Sequence, residues 1–191
     1  MLILGSSSPR RKEILKLARI PFKVKVSNAK EDINEQDPVS FVKKTALEKA
    51  KLISISDNDV LLCCDTIVYI DNKILGKPKN KDEAYKMINL IQGRNHLVCT
   101  GVYLGNNKQY ELFSVETVVT VSKMSHDEIS EYINTDEPYD KAGGYAIQGL
   151  FSKYIEKING DYYNVMGLPL NEVCKRLKKY NLFKEELWKD F

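Results

Sequence analysis

Residues 61–70, Leu-Leu-Cys-Cys-Asp-Thr-Ile-Val-Tyr-Ile, form a near-continuous apolar run with one carboxylate, Asp65, at its middle. A run this apolar between polar segments predicts a strand buried on both faces. Aspartate is depleted in strands and costly to bury unpaired. Asp65 therefore needs a partner: a lysine, a metal ion or backbone donors. Downstream, Asn72-Lys73 is a turn signal followed by Ile74-Leu75-Gly76-Lys77-Pro78. The hairpin it implies brings Lys77 back toward Asp65. A buried carboxylate near a lysine suits a site that holds a divalent cation and phosphate together.

The pattern on the N-terminal side predicts a short strand, Leu2 to Gly5, and a helix with Ile14, Leu15, Leu17 and Ala18 on its inner face. Between them lies Ser6-Ser7-Ser8-Pro9-Arg10-Arg11, in which Ser8 suits the N-cap and Pro9 the first helical position. Two arginines in a first turn oppose the helix macrodipole. An anion bound there removes the conflict, because backbone amides, serine hydroxyls and two guanidinium groups then converge on a phosphate. The alternative is two solvated arginines. Phe22 to Ser27 alternates and predicts a second strand with Phe22, Val24 and Val26 inward, and Lys30-Glu31-Asp32 falls in the loop beyond.

Asp37-Pro38 opens a long helix to about Ser54, with a stripe of Phe41, Val42, Ala46 and Ala50. Glu48 and Lys49 fall late on it, where surface charge is the ordinary reading. A helix over 81–90, a hairpin of strands His96–Leu104 and Tyr110–Val121, and a capping box at Ser125 opening a helix to Asn134 come next. The stretch 139–149, Tyr-Asp-Lys-Ala-Gly-Gly-Tyr-Ala-Ile-Gln-Gly, combines three glycines, which let backbone pass close to a ligand, with the amide of Gln148, which suits a base edge. A strand over 153–158 and a helix over 170–180 complete the set, giving an α/β chain read as one domain over 1–191.

Composition narrows the function classes. With 43% hydrophobic residues, the 191-residue chain has the content of a globular protein. Its 29 basic and 26 acidic residues are too evenly balanced for a protein that coats nucleic acid. No apolar run approaches the roughly 18–20 residues of a membrane span. No signal peptide is evident, and four cysteines without a Cys-x-x-Cys pair predict buried free thiols in a cytoplasmic protein. Two histidines argue against tetrahedral zinc and leave an oxygen-ligated magnesium or manganese. Walker-type phosphate loops, dinucleotide fingerprints and nucleophile elbows are absent. The remaining arginines, lysines and carboxylates fit metal-assisted attack of water on a phosphoanhydride.

Five segments occur in order: Ser6-x-Ser8-Pro9-Arg10-Arg11; Asp65-Thr66 with Gly76-Lys77-Pro78; Gly93-x-x-His96-x-Val98-x-Thr100-Gly101; Asp140-Lys141-Ala142-Gly143-x-Tyr145-x-Ile147-Gln148-Gly149; and Asn164-Val165-x-Gly167-Leu168-Pro169. Together they resemble the Maf family of nucleoside triphosphate pyrophosphatases, from residue 2 to about 180. The resemblance implies a fold similar to inosine triphosphate pyrophosphatases: an elongated twisted mixed sheet flanked by helices, in two lobes with a central cleft. It implies cleavage between the α and β phosphates, to a nucleoside monophosphate and pyrophosphate. The Gln148 segment resembles the branch that acts on dTTP, UTP and modified pyrimidine triphosphates.

By position, the resemblance makes Asp65 the proton acceptor and associates Arg10, Thr66 and Gln148 with base choice. It places Ser6, Arg11, Glu31, Lys49 and Lys77 at phosphate, metal or catalytic positions, with Glu31 and Asp65 as carboxylates for Mg2+ or Mn2+. Which of the two is base and which is ligand stays open. It also suggests a homodimer. A nucleotide-binding regulator of septum formation, or the same chemistry on CTP or 7-methyl-GTP, are the alternatives. The chain departs from the family pattern at Gly5 and Cys64, where alanine is common, and at Gly144-Tyr145-Ala146, where Ala-Tyr-Gly is usual.

Overall fold

The computed structural model describes residues 1–26, 35–180 and 182. Strands β1 (Leu2–Leu4), β2 (Phe22–Val24), β3 (Val60–Ile70), β4 (Lys73–Leu75), β5 (Asn95–Gly105), β6 (Tyr110–Val121) and β7 (Ile155–Asn159) form one seven-stranded sheet. Its order is β2-β1-β3-β5-β6-β7, with β4 also on β3. β1 runs parallel to β2 and β3 and the other pairings are antiparallel, so the expected mixed sheet is present. Helices α1 (Pro9–Leu17), α2 (Pro38–Lys51), α3 (Lys81–Ile91), α4 (His126–Ile133), α5 (Tyr162–Val165) and α6 (Leu170–Leu177) flank it. Among the described residues, no helix is long and apolar enough to cross a membrane.

β3 is the axis of the molecule. β5 lines one of its edges from Leu61 to Tyr69. The other edge is divided: β1 pairs with Val60–Leu62 and β4 with Val68–Ile70. Between them, at residues 63–67, no strand among the described residues joins this edge. The sheet forks there, and Asp65 and Thr66 sit in the fork.

The period of two sorts the side chains of β3 onto two faces. Val60, Leu62 and Cys64 join a core with Leu2, Ile14, Leu15, Val173 and Leu177, under α1 and α6. Val68 and Ile70 join another with Ala84, Ile88, Ile129 and Tyr132, under α3 and α4. Thr66 falls at the join between them. The odd positions Leu61, Cys63 and Ile67 pack toward α2, against Ala50, Ile53 and Val42. Gly101 stands opposite Asp65 in the ladder. A Cβ there would lie 2.3 Å from the Val42 carbonyl, so glycine lets α2 rest directly on the strand.

Several expectations are corrected. Ser8 holds the N-cap position of α1, but its hydroxyl does not cap the helix. Leu17 is 63% exposed, since it falls on the flank of the stripe that Ile14, Leu15 and Ala18 define. Val24 and Val26 face outward at 43% and 52% exposure: among the described residues β2 is an edge strand that pairs with β1, and Val26 lies beyond its end. The strand expected from 153 begins at Ile155 after a 3₁₀ turn over Leu150–Tyr154. The loop with Glu31 and the tail from 183 lie outside the described residues.

Candidate active site

The fork opens into a cleft of about 970 Å3, at the upper end of the roughly 300–1,000 Å3 of small-molecule sites. Ser6, Arg10, Arg11, Lys49, Asp65, Thr66, Lys77 and Gln148 all line it. The structure thus brings together every candidate residue except Glu31, which is not described.

Asp65 projects toward α2 and is 7% exposed. Lys49, in the last turn of α2, donates to its Oδ1 at 2.6 Å. The ordinary reading of Lys49 as surface charge is therefore corrected: its side chain is 16% exposed and supplies the counter-charge that a buried carboxylate needs. Helix phase could not reveal this, because the partner sits on a strand sixteen positions away. Neighbouring Cys64 is fully buried. Burial pushes its thiol up to about 11, and those of Cys63 and Cys99 to about 12. All four cysteines are free.

Thr66 projects to the opposite face, into a chain of hydrogen bonds whose direction follows from counting protons. Arg11 Nη2 donates to Thr66 Oγ1 at 3.1 Å. Thr66 and Thr100 hydroxyls lie 3.0 Å apart, and Thr100 Oγ1 donates to the Asn164 carbonyl at 3.2 Å. Thr100's one proton is thus committed, so Thr66 donates to Thr100. Asn164, fully buried, anchors the chain through Nδ2, which donates to Val98 O at 3.2 Å and Thr117 Oγ1 at 3.0 Å. Thr66 consequently turns only an acceptor toward the cleft.

The arginines at the start of α1 are not simply solvated. Arg11 also donates from Nη1 to Ser6 Oγ at 3.0 Å and from Nε to Gly167 O at 2.7 Å, clipping α1, β3 and the 167 turn together. Arg10 crosses the cleft to Asp140, at 3.2 Å from Nη1 to Oδ2. Asp140 also pairs with Lys141, whose Nζ donates to Glu137 O at 2.8 Å. Burial pushes the Asp140 carboxyl up, but Lys141 and Arg10 outweigh it and hold it below its ordinary value. Lys77 reaches the cleft from the segment after β4, as the hairpin predicts, with Asp71 and Asn72 at positive φ in the turn.

Sequence reasoning placed Asp140 and Lys141 in a motif but gave them no role, and passed over Glu137 and Glu35; all four line the cleft. Adjacent opposite charges beside a glycine loop were the available signal for Asp140 and Lys141. Glu35 gave none, because its pairing with Lys44 is a tertiary contact. Among the described residues, no three His, Cys, Asp or Glu side chains gather as a cage for a metal ion.

A mixed sheet forked over a cleft lined by basic and acidic side chains, with a lysine-paired carboxylate at its floor, defines an α/β protein with a polar small-molecule site. The fold is shared with the structure of a HAM1 protein from Coxiella burnetii, at TM-score 0.53 and 12% identity over 93% of this chain and 98% of that one. A family model described as Maf-like protein matches residues 1–180, and the chain belongs to that family. It is 42% identical over 183 residues to a dTTP/UTP pyrophosphatase of Bacillus cereus strain G9842, covering 95% of this chain and 96% of the relative. It is 45% identical over 172 residues to one of Thermosipho melanesiensis, covering 90% and 93%.

Proposed function

We propose that this protein hydrolyses dTTP and UTP between the α and β phosphates, releasing the nucleoside monophosphate and pyrophosphate. The observation that carries the reading is the Asp65–Lys49 pair at the floor of a cleft that Arg10, Arg11, Lys77 and Lys141 surround. Relatives over nearly the whole chain bear the name of that activity.

In this reading Asp65 accepts a proton from water as the water oxygen bonds to the α-phosphorus. The bridging oxygen leaves with pyrophosphate, and Lys77, Arg10 and the Ser6 segment at the α1 N-terminus meet the charge that develops there. Lys49 holds Asp65 in place and keeps its charge balanced through the step. Gln148 pairs with the O4 and N3–H edge of thymine or uracil, and mismatches the amino group of cytosine.

The donor set fits a divalent ion of the magnesium type. Such ions take one or two carboxylates and complete their shell with substrate phosphates and water, and need no preformed cage. Asp65 would hold it, with Glu31 as the second carboxylate, and it would offset phosphate charge.

The test is pyrophosphate release from dTTP, UTP, CTP, GTP, ATP and 7-methyl-GTP, with magnesium and with manganese, for wild type and Asp65→Asn. Wild type should prefer dTTP and UTP, and the variant should lose at least about a hundredfold in rate. A wild-type protein inert toward all six, or an Asp65→Asn variant of undiminished rate, would refute the reading.

A further inference from the structure

Gln148 is exposed in the cleft, and its amide makes no hydrogen bond among the described residues. The surrounding backbone sets the position from which it reaches into the cleft. That backbone holds Gly143, Gly144 and Gly149 and has little stiffness of its own.

One side chain gathers both ends of the segment. The Glu137 carboxylate accepts the Leu150 N–H at 2.7 Å on Oε2 and the Phe151 N–H at 3.1 Å on Oε1. Its Oε1 also lies 3.1 Å from the Tyr132 hydroxyl, which lies equally close to the Gly144 carbonyl and shares one proton between the two. Gly144 precedes the segment and Leu150 and Phe151 follow it, so entry and exit converge on Glu137 and Tyr132. Tyr132 is 5% exposed and Phe151 fully buried, so the anchor is fixed to the core. Gly149 completes the fit, since a Cβ there would stand 2.1 Å from Glu137 Oε2. Two backbone N–H groups and a share of the Tyr132 proton thus meet one carboxylate, and hydrogen bonds to a carboxylate are stronger than those between neutral groups. The two N–H groups belong to the residues two and three positions after Gln148.

We propose that Glu137 is the positioning residue for base recognition: it fixes the 145–149 segment so that the Gln148 amide meets the edge of the pyrimidine. This rests on the reading of Gln148 given above. Glu137 touches no reacting atom; it acts through the backbone it holds, and its loss is felt as a loss of discrimination.

The experiment is steady-state kinetics with dTTP and with CTP for wild type, Glu137→Ala, Glu137→Gln, Gln148→Ala and the Glu137→Ala/Gln148→Ala double variant, each with a thermal melt. The ratio of kcat/KM for dTTP over CTP should fall at least about tenfold in Glu137→Ala, mostly through a higher KM for dTTP. Gln148→Ala should fall comparably and the double variant no further, because the two residues act as one unit. Glu137→Gln keeps one acceptor oxygen but turns an amide NH2 against a backbone N–H, so its ratio should lie between. Should Glu137→Ala fail to fold, Glu137→Gln and its double with Gln148→Ala carry the same comparison. A folded Glu137 variant with a ratio within about twofold of wild type overturns the proposal, as do losses that multiply in the double variant. A wild type that cleaves no pyrimidine triphosphate brings down the proposed function and this inference with it. A selective wild type with unaltered Glu137 variants removes this inference alone.

Discussion

Acidification should destabilise this protein through a residue beside the cleft as well as through its carboxylates. His96, on β5, is 3% exposed, and its Nε2 meets the Tyr145 hydroxyl at 2.7 Å. Its Nδ1 is buried with no hydrogen-bond partner among the described residues. Burial lowers its pKa from the ordinary 6.5 to about 4. The sign follows directly: the unfolded chain binds a proton on this ring below pH 6.5 and the folded chain does so only near pH 4, so stability is whole above 6.5 and declines as pH falls toward 4. At about pH 4.5 the loss is roughly 2.5 kcal/mol, a large part of the ~5–15 kcal/mol of a typical domain.

Urea melts of wild type and His96→Leu, at about pH 7 and about pH 4.5, isolate the term, since both proteins share the titrating carboxylates. His96→Leu strands the Tyr145 hydroxyl and should be weaker by about 1–3 kcal/mol at neutral pH. Its further loss on acidification should nevertheless be smaller than that of wild type by roughly 2.5 kcal/mol. Equal losses in the two proteins would refute the assignment.

Three other outcomes follow from the geometry. Gly5→Ala puts a Cβ 2.3 Å from Cys63 Sγ, so it should cost about 1–3 kcal/mol in a urea melt, and Cys63→Ala should recover most of it; purely additive costs would show that the two positions are not matched. Asn164→Ala removes the Nδ2 bonds to the Val98 carbonyl and the Thr117 hydroxyl, the latter still held by the Asp161 N–H, and with them the side-chain anchor of the turn that carries the Asn164 carbonyl, so it should cost about 1–3 kcal/mol by the same assay. EDTA should abolish pyrophosphate release without shifting the melting temperature, because no ready-made cage exists among the described residues to tie the fold to an ion; a large fall in the melting temperature would contradict this.

The fold was legible where one strong local signal stood alone. The apolar run of β3 and the capping box at Ser125 lie where the pattern places them, and the turn expected at Asn72-Lys73 falls one residue earlier, at Asp71-Asn72. The site was legible as motifs, but its wiring was not. Arg11 reads as a cation beside a phosphate, yet three of its N–H groups hold Ser6, Thr66 and Gly167, up to 156 positions away. Lys49 reads as solvated because it is charged and stands beside Glu48 late on the helix, and only the docking of α2 over Gly101 shows otherwise. Val24 and Val26 failed for a related reason: alternation marks a strand, but whether anything covers it is decided by its place in the sheet.

The fork in the sheet bears on solubility as well. An exposed strand edge is a template on which another chain can add itself, and proteins guard such edges with short spans and charge. Among the described residues, the open edge of β3 spans residues 63–67, in a cleft that Arg10, Arg11, Lys49 and Lys77 also line. An extended segment from a neighbouring molecule would have to enter past those cations and strip their water before it could pair. The basic residues around the cleft would thus also guard the open edge of β3 against edge-to-edge association.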